Sequence, residues 1–345
     1  MTRLPTSHDD VAVDPSLRWS IGSIPWLAPH QQTSRYRVII DNDFIGDPDD
    51  LYQVVHHLLS PDAETRLIVS SHLPAGDGWD PSDQQAAHGT AVVHHILARM
   101  GLEAGDRVIT GAEHALADPH TAYDTPAARA IVAEALRDDD RPLFYAAGGG
   151  LTDLACALLL EPSIADRMTL VWIGGTTHPA LRTETSGEPR DEYNTMIDPH
   201  AVRTVFGHST IPVWQVPADT YRHAMMAMSE VRTLVRPLGL TGQYLHDELD
   251  AALAGLVADG HRTGDVYIMG DQPLVLLTAL HTPYDPDPAT STYLMLPTPT
   301  LEGKRTWVEV EEGRPMRYYI SIDNRLMIAD MVGKLAELAD WQAGR

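Results

Sequence analysis

The feature that most constrains this chain is a repeated alternation of short branched apolar runs with segments of helical periodicity. "YRVIID" (36–41) is followed by the helix-patterned "DDLYQVVHHLLS", and "ETRLIVSSHL" by "SDQQAAHGTAVVHHILARMG", which Gly101 closes. "RVITGA" precedes a helix around "AARAIVAEALRDD", "PLFYAAGGG" runs into "LTDLACALLLEP", and "MTLVWIGG" follows. Strands that read as continuous apolar runs, each followed by a helix, predict an α/β, doubly wound, mainly parallel central sheet with helices on both faces. Beyond residue 176 the pattern loosens. "DPHAVRTVFG" and "IPVWQVP" resume helix and strand, 222–262 reads as mainly helical, and "DVYIMGDQPLVLLTALH" reads as strand then helix. Residues 282–300, with repeated Pro and Thr, read as a surface excursion, "TWVEVEEG" and "RYYISID" as strands, and "ADMVGKLAELADWQ" as the closing helix. The expected organisation is a polar N-terminal arm, 1–34, carrying Trp19 and Trp26, followed by one α/β domain over 35–345.

Ligands of open parallel sheets gather at the carboxyl ends of the strands. The first strand ends in "VIIDNDFIGDPDD" (38–50), which places Asp41, Asp43, Asp47, Asp49 and Asp50 within ten positions, with Gly46 and Pro48 turning the chain between them. Like charges so close need a partner. A hard cation with six to eight oxygen ligands, Ca²⁺ above all, suits clustered carboxylates better than zinc does. Capping of the following helix accounts for Asp49 and Asp50 taken alone, but not for the whole cluster. Two more predicted strand ends offer oxygen donors: "YAAGGGLTDL", where Gly148, Gly149 and Gly150 allow close backbone approach, and "YIMGDQPL", with Asp271.

Charge narrows the partners. With 25 Lys+Arg against 48 Asp+Glu, the formal charge of −23 repels nucleic-acid polymers and anionic lipid surfaces, leaving a cation and a small neutral substrate as the expected ligands. "MTRLPTSHDDVAVDPS" lacks a signal-peptide core, and no run of about twenty apolar residues occurs, so the expected location is the cytoplasm. Cys156, the one cysteine, falls in a run that reads as buried helix and is expected to be a core thiol. "DNDF" superficially matches the D-x-D of haloacid-dehalogenase-type phosphatases, but the only lysines, Lys304 and Lys334, lie near the C-terminus, and no phosphate-cradling G-x-x-x-x-G-K is present.

In order along residues 36–335, the chain resembles the inosine-uridine-preferring nucleoside hydrolase family. The aspartate-rich strand end is similar to that family's D-x-D-x-G-x-D-D. "GGLTDLACALLLEPSIADRMTLVWIGG" resembles its G-P-L-T-N helix and M-G-G strand. "EYNTMIDPHAVRTVF" resembles its E-F-N-x-x-x-D-P-E-A segment, and "VPADTYRHA" its V-P-L-D-V-T-H stretch. The resemblance implies Ca²⁺ ligation by Asp43, Asp50, the Gly148 carbonyl and Asp271, with Asp43 as the base that activates water. It also implies sugar contacts from Asp49, Glu192 and Asn194, and from His72, which stands where the family has an asparagine. The implied reaction is hydrolysis of the N-glycosidic bond of a nucleoside through an oxocarbenium-like transition state, and the implied assembly is a homodimer or homotetramer. The chain also departs from the pattern. Five residues, "FIGDP", replace three before Asp49 and add Asp47; Ser186 replaces a second asparagine; and Gly270 stands where many members carry the histidine that protonates the leaving base. His72, Trp79, Tyr221 and His223 are the candidates for that missing role. The alternative is a relative that binds a ribosyl or other sugar ligand through Ca²⁺ without cleaving it.

Overall fold

The computed structural model of the chain describes residues 13–183, 191–282, 284 and 291–345. Seven strands of its main sheet run parallel: β1 (Tyr36–Asn42), β2 (Ala63–Ser70), β3 (Val108–Thr110), β4 (Leu143–Ala147), β5 (Thr169–Ile173), β6 (Val213–Val216) and β8 (Pro315–Ser321). An eighth, β7 (Thr292–Pro297), pairs antiparallel with β8. The spatial order is β7-β8-β6-β5-β4-β1-β2-β3. From β1 the chain steps outward through β2 to β3, then returns to the other side of β1 to begin β4, so the direction of winding reverses between β1 and β4. A crevice at the carboxyl ends of two such strands is where open α/β sheets bind ligands.

The helices anticipated from periodicity form where the pattern places them: α1 (Asp49–Leu58), α2 (Gln85–Met100), α3 (Pro126–Ala135) and α4 (Thr152–Leu160). Gly101 ends α2 in the left-handed region, at φ 69°, where a Cβ would also lie 2.6 Å from the Leu17 carbonyl oxygen. Every residue of β1 is buried. Val38 and Ile40 pack with Leu51, Val54 and Val55 of α1 on one face of the sheet, while Ile39 packs with Ile131 of α3 and Leu154 of α4 on the other. Cys156 is fully buried in that second core. At the N-terminal end, residues 19–20 pair with Leu102–Glu103, the Trp19 indole donates to the Met100 carbonyl at 2.8 Å, and Trp26 packs between Trp19 and Trp341.

Two segments differ from the sequence expectation, and a third forms its expected strand outside the main sheet. The Pro- and Thr-rich stretch ends in the edge strand β7, where a terminal proline disturbs no inner ladder. The stretch 222–262, expected to be mainly helical, contains the strand Met225–Ala227 before its long helix Gly239–Ala258. Met225–Ala227 pairs antiparallel with Val266–Ile268 outside the main sheet. "TWVEVEEG" likewise forms a separate two-stranded ribbon, in which Thr306–Val308 pairs with Thr300–Glu302. Asp271 therefore follows a peripheral hairpin rather than a strand of the parallel sheet.

α1 carries a histidine that titrates against the fold. His57 is fully buried, and burial, followed by the charges of His56 and Lys334, holds it well below its ordinary value of 6.5. Because the unfolded chain takes up this proton near pH 6.5 and the folded chain does not, stability is present above that pH and declines as pH falls below it. Thermal melts from pH 7.5 to 5 should show the decline for the native chain and a flatter profile for His57→Gln; parallel profiles would remove His57 as the cause.

Candidate active site

At the switch between β1 and β4 lies an open cleft of about 230 Å³. Its lining includes Asp43, Asp47, Asp49, Gly148, Asn194 and Asp271. Asp43 follows β1, and a bond of 2.7 Å from the Gly46 N–H to the Asp43 carbonyl folds the loop back at once. Asp47, within this loop, is exposed and accepts a hydrogen bond from the Tyr267 hydroxyl. Asp49 opens α1, and its Oδ2 accepts the Asp271 N–H at 3.2 Å, which ties the first strand end to a residue 222 positions later.

The glycines are required by crowding. A Cβ on Gly148 would overlap Asn42 Oδ1 and Asp271 Oδ2, and one on Gly149 would lie 3.0 Å from Asp43 Oδ1. The Gly148 N–H bonds the Asp41 carbonyl at 3.0 Å, and its own carbonyl accepts from Asn194 Nδ2 at 2.5 Å, leaving the second lone pair of that oxygen for another partner. Asn194 Nδ2 also donates to the Ile173 carbonyl at 2.8 Å, so one amide bridges the ends of β4 and β5.

Electrostatics at the cleft floor are adverse to the protein alone. Burial, then the charges of Asp47, Asp77 and Asp41, pushes the Asp43 carboxyl up to about 7. Burial pushes Asp49 and Asp271 well above the ordinary carboxylate value, reinforced for Asp49 by Asp47, Asp271 and Asp50, and for Asp271 by Asp43 and Asp47. In donor chemistry the set fits a hard divalent cation: carboxylates and a carbonyl, with no sulfur or imidazole. In geometry it is open, since among the described residues no group of three or more His, Cys, Asp or Glu side chains is arranged to hold a metal ion.

Not every residue singled out from sequence faces the cleft. Asp50 is buried in the first turn of α1, next to the lining residue Asp49, and is not itself exposed on the cleft wall. Glu192 is buried and caps the helix Tyr193–Ile197. Its Oε2 accepts from the Gly175 N–H, the Thr195 N–H and the Thr195 hydroxyl at 2.7–2.9 Å, and its Oε1 accepts from the Tyr221 hydroxyl at 3.1 Å. His72 is also buried, its ring nitrogens engaged by the Leu73 carbonyl at 2.8 Å and the Thr152 hydroxyl at 2.9 Å. Trp79 and Tyr221 line the cleft, whereas His223 does not. Ser186 lies outside the described residues. The structure adds Tyr193, whose hydroxyl donates to Asp77 at 2.9 Å, and Arg222, a cation in a lining whose other charged residues are aspartates. Tyr193 stands inside the quoted "EYN" and was legible there as an aromatic beside a candidate; Arg222 gave no signal. A Cβ on Gly270 would lie 3.1 Å from Asp49 Oδ2 and 3.4 Å from Tyr221, so a side chain at this position would enter the cleft between them.

A family model described as inosine-uridine preferring nucleoside hydrolase matches residues 38–332, a span that includes every cleft residue named above. The chain belongs to this family. Within it, the inosine-uridine preferring nucleoside hydrolase of Leishmania major is 38% identical over 92 residues, 26% of this chain and 27% of that protein. The Crithidia fasciculata enzyme of the same description is 42% identical over 69 residues, 20% of this chain and 19% of that protein. Each of these matches spans less than a third of the relative's own length. Among solved structures, a purine-preferring ribonucleoside hydrolase from Gardnerella vaginalis superposes with a TM-score of 0.68 at 20% identity, covering 88% of this chain and 99% of the other. A plant nucleoside hydrolase gives 0.63 at 16% identity with the same coverage. At those identities they establish the nucleoside hydrolase fold. No helix among the described residues is long and apolar enough to cross a membrane.

Proposed function

We propose that this member of the nucleoside hydrolase family hydrolyses the N-glycosidic bond of a nucleoside, releasing free base and ribose. The observation that carries this reading is the gathering of Asp43, Asp49, Asp271, Gly148 and Asn194 around one cleft at the β1/β4 switch, in a chain that matches the family from residue 38 to 332. Asp43, Asp50, the Gly148 carbonyl and Asp271 would hold a divalent cation, with Ca²⁺ as the proposed ion. Such a cation, when bound, supplies the positive charge that offsets the crowded carboxylates and makes water a better nucleophile.

The chain's own groups do the rest. Asp43, on the cleft floor, takes the proton from the attacking water. Asp49 and Asn194 line the same cleft and orient the sugar hydroxyls. The remaining carboxylates favour the positive charge that develops on the sugar in an oxocarbenium-like transition state. Glu192 acts one step back, since its hydrogen bonds fix the helix carrying Asn194 and hold the Tyr221 hydroxyl. His72, engaged at both nitrogens, supports the loop after β2. Trp79, Tyr221 and Arg222 line the same cleft, with Tyr221 beside Gly270, and these are the groups proposed to meet the departing base. Self-association as a dimer or tetramer is the proposed assembly.

The test is chromatographic detection of free base from a panel of purine and pyrimidine nucleosides in phosphate-free buffer. Base and ribose released in equal amounts are expected. Ribose binding in calorimetry without base release from any nucleoside would replace this reading with a sugar-binding protein.

A further inference from the structure

Asn42 lies in β1 between two of the acidic residues, fully buried, and its side chain reaches across to an element 229 positions away. Its Nδ2 donates to Asp271 Oδ2 and to Gln53 Oε1, each at 3.0 Å. Gln53 Nε2 in turn meets His57 Nδ1, and His57 Nε2 lies 2.7 Å from the Thr278 hydroxyl. The Thr278 hydroxyl donates its single proton to the Leu274 carbonyl at 2.7 Å.

That last bond sets the direction of all the others. Thr278 Oγ1, having given its proton away, accepts from His57, so His57 carries its proton on Nε2 and presents a lone pair at Nδ1. Gln53 must then offer its NH₂ to His57 and its oxygen to Asn42, and Asn42 must offer its NH₂ to both Gln53 and Asp271. Every member is buried, so none can exchange a partner for water without cost. Without Gln53, the Asn42 amide could turn over and set its oxygen against the Asp271 carboxylate.

We propose that Asn42, Gln53 and His57 are positioning residues for Asp271: the chain from Thr278 delivers an N–H to Asp271 Oδ2 and fixes how that carboxylate faces the cleft. This rests on the reading above, in which Asp271 is a cation ligand. Outer partners that orient a ligating carboxylate typically contribute about 10- to 100-fold in metal affinity. The Gly148 position completes the arrangement, because any side chain there would overlap Asn42 Oδ1 and Asp271 Oδ2 together.

The experiment is calorimetric titration of the metal-free full chain with Ca²⁺, beside thermal melts of each variant. Gln53→Met and His57→Leu, which break the chain, should weaken Ca²⁺ binding about 10- to 100-fold. His57→Gln, whose amide can accept from Gln53 and donate to Thr278, should bind within about threefold of the native chain, which a merely structural histidine would not require. Lowered melting temperatures with unchanged Kd in Gln53→Met and His57→Leu would overturn the inference. If those two do not fold, Thr278→Val, which removes the terminal acceptor at nearly constant volume, should still weaken binding, and an unchanged Kd there would overturn it equally. Failure of the native chain to bind Ca²⁺ would instead overturn the cation reading on which the inference rests.

Discussion

Asp43→Asn is expected to lower kcat on a nucleoside by about 10²- to 10⁴-fold, the range typical of a removed general base. The substitution keeps the shape of the side chain and removes its ability to take a proton. It also removes one charge from a floor where burial and the neighbouring aspartates already oppose ionisation, so the melting temperature of the metal-free chain should be unchanged or raised. Steady-state rates beside thermal melts check both halves. A variant that folds and turns over within about tenfold of the native chain would take Asp43 out of the mechanism.

Gly148→Ala should be the most damaging glycine-to-alanine change among the described residues. The added carbon falls where Asn42 Oδ1 and Asp271 Oδ2 already lie, and neither side chain has slack: Asn42 is held by Gln53 and Asp271, and Asp271 by Asn42 and, through its backbone, by Asp49. Overpacking of a tight interior costs about 1–3 kcal/mol. Here the displaced atoms include Asp271 Oδ2, proposed to hold the cation, so base release should fall by about 10- to 100-fold as well. Denaturant melts and base-release assays would show both effects. Native stability with native rates would mean that the β4 end accommodates a side chain, contrary to the geometry described.

What the sequence made legible was local. Alternating apolar runs placed the parallel strands, the aspartates after Ile40 announced a charged strand end, and Gly101 marked the stop of α2 by a backbone conformation that few other residues adopt. The pairings that define the cleft were not local. The position of β4 beside β1, with 100 residues between them, decides that Gly148 meets Asn42 and Gly149 meets Asp43, and no short window encodes it. β7 was hidden because a proline-rich edge strand lacks the apolar signature of an inner one, and Met225–Ala227 was hidden inside a helical stretch because three residues have no period. Glu192 shows the limit for side chains. Its residue type fitted a sugar contact, while in the structure its Oε2 accepts from Thr195 N–H in its own helix start and from Gly175 N–H after β5. The hydrogen-bond chain from Thr278 to Asp271 joins residues 42–57 to residues 271–278, a pairing that no short window encodes.

The most direct test of the central claim is release of reducing sugar from inosine and uridine by the metal-free chain, measured before and after Ca²⁺ is restored. The account predicts little release without the ion, recovery with it, and no recovery in Asp43→Asn. Equal release in chelator and in Ca²⁺, or none under either condition from any nucleoside tried, would contradict it.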